Sequence, residues 1–236
     1  MKVEGKNAVL ELLKTEKTID KILMRKNAQD ALGRIFAESR KRGIKVQFVD
    51  EKVLDKESAT GRHQGVIAFA SDFIYSDLQD IYNSSENSKL VIICDGIEDV
   101  HNLGSIIRVA ECAGATAVII PKNKSAQVNE SVMRISEGAA SHIPVVRVPG
   151  INYAIDQLKE NGFWVYALEA NGSDIYKTDL KGDIALIIGG EDSGVGALTK
   201  KKSDGVLSLP MYGKINSLNA SVALGIATYE AVRQSR

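Results

Sequence analysis

The sequence predicts an α/β protein in two parts: a small amino-terminal α/β module and a larger carboxy-terminal domain on a mainly parallel sheet. Short apolar runs at 90–94, 117–120, 145–148, 164–168, 185–188 and 206–209 alternate with segments of helical periodicity, the pattern of parallel strands covered on both faces. A polar stretch, Asn83-Ser-Ser-Glu-Asn-Ser88, precedes them. Charge is uneven as well: residues 1–70 hold 15 Lys and Arg against 10 Asp and Glu, residues 71–236 hold 15 against 20. We therefore expect one module over 1–70, a linker over 71–88 and a second domain over 89–236.

In the first module the pattern gives a helix near 5–14, a strand near 20–24, a helix near 28–42, and strands near 45–49 and 65–70. Its positive excess suits a phosphate backbone, with Lys14, Lys17, Lys21, Arg25, Lys26 and Arg40-Lys41-Arg42 as candidate contacts. From charge alone, a solvated surface is equally compatible. In the second domain Leu103, Ile106, Ile107 and Ala110 recur at helical spacing, predicting a helix over 103–113 with Gly114 as its stop and Asn102 as its N-cap. Arg108 lies five residues from Leu103, roughly 140° around the helix, so it points away from the buried stripe toward solvent, substrate or Glu111. Val222, Ala223, Ile226, Ala227 and Glu230 give a last helix over 220–233.

Several classes are disfavoured. No apolar run approaches the roughly 20 residues of a membrane span, and the first residues lack the apolar core of a signal peptide, so a cytoplasmic location is expected. Cys94 and Cys112 read as reduced core residues, and His63, His101 and His142 lack metal-ligand spacing, so no metal is expected. A nicotinamide-dependent oxidoreductase would need Gly-x-Gly-x-x-Gly after its first strand; only Gly96 and Gly104 follow 90–94, and Gly189, Gly190, Gly194 and Gly196 cluster late at another interval.

Three strand-then-loop segments point instead to one composite site. Cys94-Asp95 leads to Asn102 and Arg108; the run 184–188 empties into Gly189-Gly-Glu-Asp-Ser-Gly194; and 206–209 runs into Pro210-Met-Tyr-Gly213 and Ser217-Leu-Asn-Ala-Ser221. Gly189 and Gly190 permit close backbone approach to a ligand, or a plain turn. Glu191 is placed to accept backbone N–H bonds or to orient Asn219 and Arg108.

These segments resemble the motifs of the SpoU (TrmH) family of RNA ribose 2′-O-methyltransferases: an Asn six residues before an Arg, Gly-x-Glu-x-x-Gly, and Pro-Met-x-Gly with Ser-Leu-Asn-x-Ser. Glu4-Gly-Lys-Asn-Ala-Val9 and His63-Gln-Gly-Val-Ile-Ala68 resemble the family's substrate-binding domain. The resemblance implies a carboxy-terminal trefoil knot (the SPOUT fold), S-adenosyl-L-methionine as cofactor, and an RNA-binding amino-terminal domain. It casts Asn102, Arg108, Glu191, Ser217 and Asn219 as the catalytic set, and the backbone around Gly189, Gly190, Leu209 and Leu218 as the adenosine-binding part. Arg108 would activate the hydroxyl with help from an RNA phosphate. A guanidinium with a pKa above about 12 is a poor proton acceptor, so it would alternatively hold the phosphate and stabilise the developing alkoxide. Asp192, a departure from the usual motif, is expected to point away from RNA. The two-domain layout resembles the bacterial branch that modifies a guanosine of large-subunit ribosomal RNA. A tRNA ribose methyltransferase and a non-catalytic RNA-binding assembly factor are the alternatives. The resemblance also implies a homodimer formed through the catalytic domain, and neither DNA nor membrane is an expected partner.

Overall fold

The computed structural model describes residues 2–15, 17–26, 29–71, 73–191 and 193–235, and the chain divides into two compact units, Met1–Ile74 and Tyr75–Arg236.

The first unit runs β1 (Lys2–Glu4), α1 (Lys6–Leu12), β2 (Thr18–Arg25), α2 (Gln29–Lys41), β3 (Val46–Val49), α3 (Glu51–Glu57) and β4 (Val66–Ser71). Its mixed sheet has the order β1-β4-β2-β3, with β4 antiparallel to both neighbours and β3 parallel to β2. Alternation along β2 sends Ile22 and Met24 to a core shared with Val9 and Leu12 of α1 and Leu32 and Ile35 of α2, while Leu23 meets Leu54 of α3 and Ile67 on the other face. The sequence pattern misses β1 and α3 because three and seven residues are too few to show a period.

The two amino-terminal motif stretches meet here. The Gly5 N–H donates to Val66 O at 3.2 Å, and the Lys6 N–H donates to Gln64 Oε1 at 3.0 Å. Glu4 ties down the loop after α3, accepting from Ser58 Oγ and Ala59 N, each at 2.6 Å, and from Thr60 Oγ1 at 2.7 Å. These bonds, Ser58's foremost, hold its carboxyl down at about 2. In buried His63, Nδ1 accepts from the Gly65 N–H at 3.0 Å, so Nε2 carries the proton and donates to Asp55 at 3.0 Å.

The second unit runs α4 (Leu78–Tyr82), β5 (Leu90–Asp95), α5 (Val100–Cys112), β6 (Ala117–Pro121), α6 (Glu130–Ile135), β7 (Val145–Val148), α7 (Ile151–Glu160), β8 (Trp164–Asp174), β9 (Ile184–Gly189), α8 (Ala197–Lys202), β10 (Gly205–Ser208) and α9 (Ala220–Ser235). All pairings in its six-stranded sheet, ordered β10-β8-β9-β5-β6-β7, are parallel. Helices cover both faces, which is why Val91, Ile92, Ile93 and Cys94 are consecutively buried and the strand reads as an unbroken apolar run. Val91, Ile93, Ile119 and Ile187 pack against Ile155 and Leu158 of α7, while α5 packs against α6 and α9. At the end of α5 a Schellman motif forms: the Ala115 N–H reaches Ala110 O at 2.8 Å and the Gly114 N–H reaches Glu111 O at 2.9 Å, with Gly114 at φ +71°.

Two expectations need correction. The 71–88 segment is not a plain linker: Ser71 closes β4, and α4 inserts Ile81 into the core of the second unit behind a capping box formed by Asp77 and Asp80. Leu78 and Ile81, at i and i+3, carry that helix through a polar neighbourhood. Cys112 is exposed, unlike buried Cys94, because two residues past Ala110 it has left the inner stripe of α5. The last helix forms as expected; on α9 the buried residues are Ala220, Leu224, Ala227, Thr228, Glu230 and Ala231, whereas Val222, Ile226 and Tyr229 are 50%, 39% and 53% exposed. That helix is apolar on more than one side, so periodicity could not choose its inner face.

Candidate functional site

Strand order reverses around β5: β6 lies on one side and β9, late in the chain, on the other. Such a switch point opens a crevice at the carboxyl ends of the strands, where ligands of open α/β sheets bind. The loops after β5, β9 and β10 converge there.

The loop after β9 is packed backbone against backbone. A Cβ on Gly189 would lie 2.1 Å from Gly194 C, and one on Gly190 would lie 2.7 Å from Gly96 O. A plain turn would not demand this. Asp95 anchors the loop at both ends: its carbonyl accepts from the Gly190 N–H at 3.1 Å and its Oδ2 from the Gly196 N–H at 2.9 Å. Glu169 of β8 accepts from the Val195 N–H at 2.6 Å. Sequence reasoning assigned neither carboxylate a role. Asp95, a charge at the end of an apolar run, offered a weak signal; Glu169, within a long strand, offered none.

β8 and the segments after β9 and β10 line an open cavity of about 700 Å³, whose wall includes Gly189, Gly190, Leu209 and Leu218 together with Glu191, Ser217 and Asn219. Small-molecule sites span about 300–1,000 Å³ and pair an apolar lining with a few polar groups. At its edge three side chains, one from the first turn of α5 and two from the loops after β9 and β10, form a closed hydrogen-bond cluster. Asn219 Nδ2 donates to Glu191 Oε1 at 2.7 Å and to Asn102 Oδ1 at 2.9 Å, and Asn102 Nδ2 donates to Glu191 Oε1 at 3.0 Å. The other end of the Asn219 amide, Oδ1, accepts from Ser221 N at 2.9 Å and Ser221 Oγ at 2.6 Å, and so caps α9.

Asn102 is not the N-cap of α5. Asp99 is, accepting from the His101 and Asn102 N–H groups at 2.8 and 2.9 Å. The helix begins before its apolar stripe, which frees the Asn102 side chain for the cluster. Arg108, six residues on and about 9 Å along the axis, stands outside the cavity wall described. It is exposed, and its Nη1 lies 2.7 Å from Glu137 Oε1, a partner from a different element than Glu111. Asp192 lies outside the described residues.

In the amino-terminal unit, Lys14, Arg25, Lys26 and Lys41 pair with Glu11, Glu51, Asp50 and Glu38, and Lys21 sits 4.7 Å from the centre of the Phe69 ring. Arg42 is a structural clamp, donating to Leu13 O at 2.8 Å and Lys17 O at 3.0 Å. Among the described residues no group of three or more His, Cys, Asp or Glu could hold a metal ion, and no helix is long and apolar enough to cross a membrane.

A ligand-sized cavity at a switch point of a parallel sheet marks the second unit as a cofactor- or nucleotide-using α/β domain. Residues 89–229 match the SpoU rRNA Methylase family, residues 2–76 match the RNA 2′-O ribose methyltransferase substrate-binding family, and the chain belongs to the SpoU rRNA methylase family. A Bacillus subtilis protein assigned to the TrmH family of tRNA/rRNA methyltransferases is 40% identical across 98% of this chain and 95% of its own. The 23S rRNA (guanosine-2′-O-)-methyltransferase RlmB of Xanthomonas campestris pv. campestris is 39% identical across 98% and 96%. Among solved structures, an AdoMet-bound rRNA methyltransferase from Sinorhizobium meliloti superposes with a TM-score of 0.63 at 26% identity, covering 98% of this chain and 86% of that one.

Proposed function

We propose that this protein methylates a ribose 2′-hydroxyl of RNA, on a guanosine of large-subunit ribosomal RNA, using S-adenosyl-L-methionine. The observation that carries this is the Asn102–Glu191–Asn219 cluster at the edge of a cavity walled by Gly189, Gly190, Leu209 and Leu218. The cavity suits the cofactor: its volume is adequate, its glycine backbone is open to close approach, and leucines flank it. When bound, the cofactor supplies the electrophilic methyl group. Glu191 fixes the Asn219 amide, so that Ser217 and Asn219 face the ribose. Arg108 holds an RNA phosphate and stabilises negative charge growing on the 2′-oxygen, while the hydroxyl proton passes to phosphate or water.

The same reading assigns RNA binding to residues 1–70, a trefoil knot to the segment that carries 209–219 back onto the loops after β5 and β9, and a cytoplasmic location. It also assigns a homodimer formed through the catalytic domain, supported by the exposed apolar stripe Val222, Ile226 and Tyr229 on α9. A tRNA ribose is the second reading, favoured by the broader tRNA/rRNA assignment of the Bacillus relative.

The test is transfer of labelled methyl from S-adenosyl-L-methionine to total RNA lacking ribose methylation. 2′-O-Methylguanosine in large-subunit rRNA is the expected product. Label in tRNA promotes the second reading, and cofactor and RNA binding without label favours an assembly factor. Arg108→Ala is expected to fold and bind cofactor but to lose transfer; unchanged turnover removes Arg108 from the mechanism.

A further inference from the structure

Arg108, a member of the proposed catalytic set, pairs with a residue outside the motif loops. That partner, Glu137, belongs to the turn after α6, and the turn's placement against α5 is specific. Gly104 lies one helical turn before Arg108 on the same face. A Cβ there would lie 2.6 Å from Ile135 Cγ2 and 3.3 Å from Ser136 N, so the missing side chain lets the end of α6 seat directly on α5. The turn is then pinned. The Gly138 N–H donates to Met133 O at 3.0 Å, the Glu137 N–H donates to Arg134 O at 3.1 Å, and Ser136, Ala139 and Ala140 are buried around it. Glu137 takes φ +49° and Gly138 φ +84°. The left-handed conformation favours Gly and Asn over Glu, yet here it brings a carboxylate to 2.7 Å from Arg108 Nη1.

We propose that Glu137 is an internal stand-in for the substrate phosphate at Arg108, occupying the guanidinium in RNA-free protein and yielding it to a phosphodiester oxygen on binding. The inference rests on the reading of Arg108 as the phosphate-holding residue. Carboxylate and phosphate oxygens are interchangeable acceptors for a guanidinium at this distance. Both partners are more than half exposed, so the pair is weak enough to be exchanged: side-chain exposure is 51% for Arg108 and 68% for Glu137. A competing carboxylate lowers RNA affinity by the small factor that breaking such a pair requires, about 1.5- to 5-fold. In return, Arg108 avoids bonding to unproductive carboxylates elsewhere on the surface.

The experiment measures RNA affinity by filter binding for full-length wild type, E137Q, R108A and the double variant, on large-subunit rRNA and tRNA transcripts free of modification. E137Q is expected to tighten binding of the acceptor RNA about 1.5- to 5-fold, and to have no effect in the R108A background. Unchanged or weaker binding by E137Q overturns the proposal. So does equal tightening with and without Arg108, which would be a general charge effect. E137G, which relaxes the left-handed turn, should behave as E137Q does and replaces it should the glutamine variant misfold. If R108A keeps full RNA affinity and turnover, the reading of Arg108 itself fails. If R108A loses both while E137Q changes nothing, only the inference about Glu137 fails.

Discussion

Asn219→Asp replaces one NH2 group by an oxygen and leaves the shape of the side chain unchanged, so it separates the two tasks of this residue. The cap survives: a carboxylate still accepts from Ser221 N, and a negative charge at the start of α9 is favourable by about 0.3–1 kcal/mol. The cluster does not survive. The donors that reach Glu191 at 2.7 Å and Asn102 at 2.9 Å disappear, and two carboxylates face each other. Two unit charges about 4 Å apart repel by about 1 kcal/mol in water and about 4 kcal/mol at an effective dielectric of 20. Glu191 and Asn219 are exposed, so the lower figure governs. Adding two modest hydrogen bonds of about 0.5–1.5 kcal/mol each and subtracting the helix-terminus gain leaves a net loss of about 1–3.7 kcal/mol. If that loss falls on the order of the 209–219 loop, cofactor affinity drops about 5- to 500-fold. The assay is calorimetric titration with S-adenosyl-L-methionine at pH 7.5 and pH 5. Like-charge repulsion raises the carboxylate pKa in the folded protein, so the penalty is present at high pH and fades as pH falls through the raised value. N219D should therefore recover on acidification. N219A, which loses the cap as well, should not recover. Wild-type affinity in N219D at pH 7.5, or a loss indifferent to pH, refutes this account of the cluster.

Gly189→Ala places a methyl 2.1 Å from Gly194 C and 2.3 Å from Val195 N, both backbone, so the loop must move; overpacking of about 1–3 kcal/mol and about 5- to 150-fold weaker cofactor binding are expected, and an unchanged Kd contradicts this. Glu4, held down at about 2, contributes stability that is present above its ordinary carboxylate value and lost as pH falls toward 2. Protection of the Ala59 and Thr60 amides should fall between about pH 5 and 2 in wild type and be flat in E4Q; the same slope in both proteins refutes the anchor. Burial pushes the Cys94 thiol up to about 12, whereas Cys112 is exposed, so maleimide at pH 7.5 should add one adduct, at Cys112, by mass spectrometry. Rapid double labelling contradicts it.

The sequence by itself determined the six parallel strands, because a strand buried on both faces must be apolar throughout and that pattern is local. It determined the glycine stop of α5 and the three motif loops for the same reason: each is written within a dozen residues. Tertiary structure decided how those loops meet. Asn102 and Glu191 are 89 residues apart and Glu191 and Asn219 are 28 apart, so no periodicity links the three; pairing of β5 with β9 brings the first two together, and the segment after edge strand β10 carries Asn219 back to them. It also decided which face of α9 turns inward, that Arg42 clamps backbone carbonyls, that Asp95 and Glu169 hold the glycine loop, and that Arg108 meets Glu137. Hydrophobic patterning reports that a residue is buried or exposed. Which polar group it meets depends on contacts between distant segments, and these exist only once the chain has folded.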